Sequence, residues 1–126
     1  MSGTPRFRWS TVCLEALDGP ALAAFYRELL GWRIKAEEPD WVLLAPPGDG
    51  PGLSFQSDPG FVRPAWPASP GRQQVMMHLD IEVDDLDASS ARAVELGATV
   101  ADFQPQDDVR VHFDPAGHPF CLWVSR

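Results

Sequence analysis

Apolar and polar residues alternate from His78 to Asp84. Leu79, Ile81 and Val83 fall on one face, and His78, Asp80, Glu82 and Asp84 on the other, as the two-residue period of a strand requires. This predicts a half-buried strand whose polar face begins with an imidazole and continues with carboxylates. The same alternation over Trp9 to Leu17 sets Val12, Leu14 and Ala16 against Thr11, Cys13 and Glu15 and predicts an earlier strand. Leu22, Phe25, Tyr26, Leu29 and Leu30 then recur at helical spacing behind Asp18-Gly19-Pro20. Asp18 is placed to receive free N–H groups, Pro20 sits near the first helical position, and Gly31 ends the helix. Strands follow over 32–36, 41–45 and 53–56, the last after a turn-rich run from Pro46 to Gly52.

The second half repeats this order. After the strand at His78, Asp85, Leu86 and Asp87 open a helix that passes through Ala91 and Val94 and stops at Gly97. Strands are predicted over 98–100, 109–113 and 119–124, with a turn at Asp114-Pro115-Ala116-Gly117 before the last. Aligned by eye, Thr11 pairs with His78, Asp18 with Asp85, Leu30-Gly31 with Leu96-Gly97, and Phe55-Gln56 with Phe120-Cys121, an offset of about 66 residues. Strand, helix and three strands, given twice, predict an α+β fold of two tandem βαβββ modules in which each helix covers one face of a sheet. The modules run over about 7–57 and 75–126 of a single domain spanning 1–126. The proline- and glycine-rich stretch between them, about 58–74, reads as a linker. Its Phe61 and Trp66 imply that it is pinned to a surface, either the outside of a sheet or the mouth of a binding site.

At 126 residues and 44% apolar content the chain can bury a real core. A net charge of -8 argues against a nucleic-acid partner and suits a neutral or cationic one. The first residues lack the apolar run of a signal peptide and no segment is long and apolar enough to span a bilayer, so a cytoplasmic protein without a membrane partner is expected. Cys13 and Cys121 are too few for a disulfide framework and are expected to be reduced. No phosphate-binding glycine loop, Cys-x-x-Cys, Gly-x-Ser-x-Gly or His-Glu-x-x-His occurs.

Asp18 followed by Phe25-Tyr26 and Leu30-Gly31-Trp32, then His78-Leu79-Asp80 before Asp84-Asp85, then Leu96-Gly97-Ala98 and Asp114-Pro115-Ala116-Gly117, lie in an order and spacing that covers nearly the whole chain. In these features it resembles the glyoxalase/bleomycin-resistance/extradiol-dioxygenase (vicinal oxygen chelate) superfamily. It is most similar to glyoxalase-like domains with Phe-Gln closing the first module and Asp-Pro-x-Gly before Phe-Cys-Leu in the second. The resemblance implies that the modules form a cupped mixed sheet with helices outside and the first and fourth strands of each module on its floor. It also implies that two chains pair as a homodimer, for which five tryptophans leave aromatic area.

Alternation and the resemblance together assign Thr11, Cys13, Glu15, Ser54, Gln56, His78, Asp80, Glu82, Pro119, Cys121 and Trp123 to the cup. Catalytic relatives hold a divalent metal on His or Gln from each first strand and Glu from each fourth. The matching positions here are Thr11, Gln56, His78 and Cys121, of which only His78 is a usual match. Thr11 is a poor ligand, Gln56 brings no charge, and Cys121 must lose a proton to serve. The expected function is therefore small-molecule binding without the usual metal, through Thr11, Cys13, Glu15, Gln56, His78, Asp80, Glu82, Cys121 and Trp123, with no catalytic residue assigned. The alternative is a metal-dependent lyase, isomerase or dioxygenase in which His78, Gln56 and Cys121, or Asp80, hold Zn, Ni, Mn or Fe. Each residue also has a structural reading. His78 can be a hydrogen-bonded remnant of the duplicated fold, Cys121 a small buried hydrophobe, Trp123 core, and Glu15, Asp80 and Glu82 solvated. Alternation leaves undecided which face of Arg110-Val111-His112 sees the cup.

Overall fold

The structure, a computed structural model, describes residues 3–125. The first module contains β1 (Thr11–Ala16), α1 (Gly19–Leu30), β2 (Arg33–Glu38), β3 (Trp41–Ala45) and β4 (Gly52–Ser57). The second contains β5 (Leu79–Glu82), α2 (Leu86–Leu96), β6 (Thr99–Val100), β7 (Val109–Phe113) and β8 (Pro119–Trp123). Both helices are bounded as the sequence predicts. Asp18 and Asp85 are extended N-caps whose carboxylates accept from the N–H of Ala21 and Ala88, each at 3.0 Å. Gly31, at φ 69°, closes α1 in the left-handed conformation that glycine adopts without strain.

Each module builds its own four-stranded mixed sheet, in the orders β1-β4-β3-β2 and β5-β8-β7-β6. The first and fourth strands of each module are parallel neighbours and the remaining pairs are antiparallel. The α+β class and the tandem βαβββ duplication are borne out, with the floor of the cup contributed by two sheets.

The register corrects the alignment by eye. Cys13 is opposite Ser54 in the first sheet, and Asp80 is opposite Cys121 in the second. With Cys13 matched to Asp80, the counterpart of Cys121 is Ser54, and that of Trp123 is Gln56. Matching Phe55 to Phe120 had slipped β4 by two residues. A slip of two leaves every side chain on its own face, so alternation cannot detect it.

One core joins the modules. Leu14, Leu22, Phe25, Tyr26, Leu44 and Phe55 of the first pack in the same cluster as Ala93, Phe120 and Leu122 of the second. Tyr26 stacks on Phe55, with ring centres 5.5 Å apart, and meets Phe120 edge-on at 6.0 Å. The 58–74 stretch is held by its aromatics: Phe61 lies 5.2 Å from the His118 ring, and Trp66 lies 5.6 Å from Phe103 and 6.2 Å from Phe113. All three of these partners belong to the second module. No helix among the described residues is long and apolar enough to cross a membrane.

Candidate functional site

On the second sheet, β5 and β8 bring three candidates together. His78 immediately precedes β5, Asp80 is two residues on and therefore on the same face, and Cys121 is the cross-strand partner of Asp80. His78 Nε2 lies 3.2 Å from Asp80 Oδ1. One donor atom from each of His78, Asp80 and Cys121 lies within 4.8 Å of the others. His78 and Asp80 are exposed, with side chains 48% and 61% accessible, while Cys121 is half-buried. Burial pushes the Cys121 thiol up to about 11, and the adjacent Asp80 carboxylate adds to that by charge and by accepting its hydrogen bond. The thiol is therefore protonated at neutral pH unless a cation joins it.

The equivalent position in the first sheet has different chemistry. The Thr11 hydroxyl lies 3.2 Å from that of Ser54 and 3.0 Å from the Val12 carbonyl oxygen, and Ser54 is buried. These are two neutral hydroxyls that partner each other. Gln56 stands four residues beyond Gly52, the partner of Thr11, or about 13 Å along the strand. It is exposed and lines a separate surface hollow with Glu38, Asp40 and Trp41. Glu82 and Trp123 face each other across the far end of the β5–β8 pair.

A metal shared between the modules on the superfamily's pattern does not fit these residues, because Thr11 and Ser54 supply no anionic or imidazole donor. His78, Asp80 and Cys121 do suit a thiophilic divalent ion. Around zinc, N, O and S donors sit about 2.0–2.3 Å from the ion, which puts tetrahedral donors about 3.3–3.8 Å apart. A small contraction of the present triad reaches that spacing.

Cys13 and Glu15 face a different space. They line a cavity of about 320 Å³ between β1 and the connecting segment, with Phe61, Met76, Met77 and His118 among the other walls. His118 is anchored there by donating from Nε2 to the Glu15 carbonyl oxygen at 2.6 Å. The connecting segment contributes Asp58, Gly60, Phe61, Val62 and Pro64 to the lining of this cavity. Met76, Met77 and His118 were not among the candidates. Their only signals are adjacency to His78 and to Pro119, which alternation does not convert into a wall of a cavity.

The face of β7 is also decided. His112 is fully buried, with Nδ1–H donating to the Arg110 carbonyl and Nε2 accepting from Ser90 of α2 at 2.8 Å. Arg110 reaches Asp87 of the same helix at 2.9 Å. Both therefore lie on the helix side and Val111 faces the cup. Burial lowers the His112 pKa below the ordinary histidine range.

The sequence matches the glyoxalase-like domain family over residues 11–123. The chain belongs to that family. Its place in the vicinal oxygen chelate superfamily is likewise borne out. No curated protein matches it. Among solved structures it is similar to a glyoxalase/bleomycin resistance protein/dioxygenase family enzyme from Burkholderia phytofirmans PsJN, at 18% identity and a TM-score of 0.67 over 91% of this chain and 96% of that one. It is similar to TnmS3, an antibiotic binding protein from Streptomyces sp. CB03234, at 22% identity and a TM-score of 0.63 over 98% of this chain and 100% of that one. Lactoylglutathione lyase from Agrobacterium tumefaciens matches at 20% identity and a TM-score of 0.60, over 97% of this chain and 96% of that one. At these identities the likeness establishes the fold, which the enzyme and the binding protein share.

Proposed function

We propose that this glyoxalase-like chain binds a small molecule in the cavity between β1 and the connecting segment, without a metal shared by the two modules. The observation that carries this is the cavity itself: about 320 Å³, with Cys13 and Glu15 of β1 facing Phe61, Met76, Met77 and His118. Its size falls at the small end of ligand pockets, and its wall is largely apolar with a few polar groups, as such sites are. The fold shared with an antibiotic-binding protein supports the reading. A ligand-stabilisation screen tests it: compounds that raise the melting temperature of the native chain should lose that effect in Cys13→Trp, whose indole fills the cavity. Shifts that persist in a folded Cys13→Trp would place binding elsewhere and overturn the proposal.

A second reading is favoured by the convergence of His78, Asp80 and Cys121. Here these three residues hold a zinc-like ion, which when bound would supply Lewis acidity for a lyase, isomerase or dioxygenase reaction. Titration with cobalt(II) distinguishes the two. A thiolate-to-cobalt charge-transfer band that vanishes in Cys121→Ser and His78→Ala supports the ion, and an absent band removes it. The working unit is taken to be a homodimer, supported by the exposure of Phe7 and Trp9; a monomeric mass by light scattering would refute it.

A further inference from the structure

We propose that the ligand of the β1 cavity carries an ammonium group, received by the carboxylate of Glu15, on an apolar body that lies against Phe61, Met76 and Met77. This rests on the reading of the cavity as the binding site and adds the chemical class of what enters it.

The main observation is an unpaired acceptor. Oε2 of Glu15 is buried yet receives no hydrogen bond from any described residue. A buried carboxylate oxygen without a donor is costly, and a protein keeps one where something else supplies the donor. Glu15 lines the cavity, but this oxygen itself is sealed from it, so a molecule seated there supplies the donor once the carboxylate has turned toward it.

The rest of the wall selects the sign of that molecule. It includes a second carboxylate, Asp58, and contains neither lysine nor arginine. The Nε2–H of His118 is already committed to the Glu15 carbonyl oxygen. The side-chain donors that remain are the Cys13 thiol and the amides of Gln73 and Gln74, all neutral, and Gln73 Nε2 also lies 3.3 Å from the Gln74 carbonyl oxygen. An anion would meet two carboxylates and neither lysine nor arginine, whereas an ammonium meets an unsatisfied carboxylate. The aromatic face of Phe61 adds an electrostatically favourable surface for a cation. Two methionines at the rim, Met76 80% and Met77 66% exposed, offer an unbranched wall that adapts to the ligand body.

Three probes of matched shape and different charge test the inference: phenethylammonium, phenethyl alcohol and hydrocinnamate, titrated into the native chain by calorimetry or ligand-observed NMR. Phenethylammonium is expected to bind about tenfold or more tightly than the alcohol, the range of one hydrogen bond to a charged group, with the carboxylate weakest. Glu15→Gln should bring the ammonium to within about threefold of the alcohol, while Asp58→Asn keeps the order. Should Glu15→Gln fail to fold, Glu15→Asp, which withdraws the carboxylate by one methylene, should still narrow the gap. Hydrocinnamate binding as tightly as the ammonium, or a preference unchanged in Glu15→Gln, overturns the ligand class but leaves the cavity reading intact if Cys13→Trp still abolishes binding. No binding by any of the three overturns the ligand class and leaves the cavity reading to the stabilisation screen with Cys13→Trp.

Discussion

The hydroxyl of Tyr26, in the middle of α1, donates to Oδ2 of Asp114, in the turn before β8, at 2.8 Å and across 88 positions of sequence. The other carboxylate oxygen of Asp114 accepts from the N–H groups of Ala116, Gly117 and His118. One buried side chain thus shapes the turn that carries His118 to the cavity and ties that turn to the helix of the other module. Burial and the neighbouring Asp114 carboxylate hold the Tyr26 phenol well above its ordinary range, so it remains a donor at every working pH.

Removing that donor leaves a buried carboxylate oxygen unsatisfied. Tyr26→Phe is expected to cost about 1–3 kcal/mol in urea denaturation. Because the same carboxylate positions His118, a cavity ligand found by the stabilisation screen should bind more weakly to this variant. A fully stable Tyr26→Phe would show that the link between modules is not used.

The buried imidazole of His112 gives stability a pH dependence. Its folded pKa is lowered by burial, so the unfolded chain binds the proton more readily. The contribution is complete above the unfolded value of about 6.5 and is lost as the pH falls through the lower folded value. The native melting temperature should therefore drop on acidification below pH 6.5 more steeply than that of His112→Phe, which keeps an aromatic ring over Phe120. Parallel curves for the two proteins would contradict this.

The two thiols should react in a fixed order. Cys13 is exposed, whereas Cys121 is half-buried and pushed up to about 11, leaving about one thiolate in ten thousand at pH 7. Mass spectrometry after brief iodoacetamide treatment should find Cys13 modified first. Asp80 contributes to raising Cys121, so Asp80→Asn should speed modification there. Equal rates at the two cysteines of the native protein are the contrary result.

Gly19 begins α1 where the helix touches β4. A Cβ at this position would lie 2.8 Å from the Ser57 nitrogen and 2.9 Å from the Gln56 carbonyl carbon, both backbone atoms that cannot swing aside. Gly19→Ala should destabilise the fold by about 1–3 kcal/mol. Gly3→Ala, with nothing within 4 Å, is its control and should leave the denaturation midpoint unchanged.

Much of the fold was legible in the sequence because its signals are local. Asp18 and Asp85 cap helices through bonds to the third residue onward, Gly31 and Gly97 end them, and alternation identifies the faces of β1, β5 and β8. The grouping of His78 with Asp80 was equally local, since residues two apart on a strand share a face.

What the sequence could not determine was the partner of each strand position. Alternation is blind to a shift of two, so it took Gln56 as the counterpart of Cys121, where the ladder places Ser54. Nor could it bring His118 to Glu15 or Tyr26 to Asp114, because those contacts join residues roughly a hundred positions apart through a core shared by both modules. By itself, then, the sequence determined which residues form strands and helices and which side of each is polar, since both follow from backbone periodicity. Tertiary structure alone decided which polar groups meet across strands and modules, because register and the path of the 58–74 segment are settled by long-range packing of Phe55, Phe120, Phe61 and Trp66.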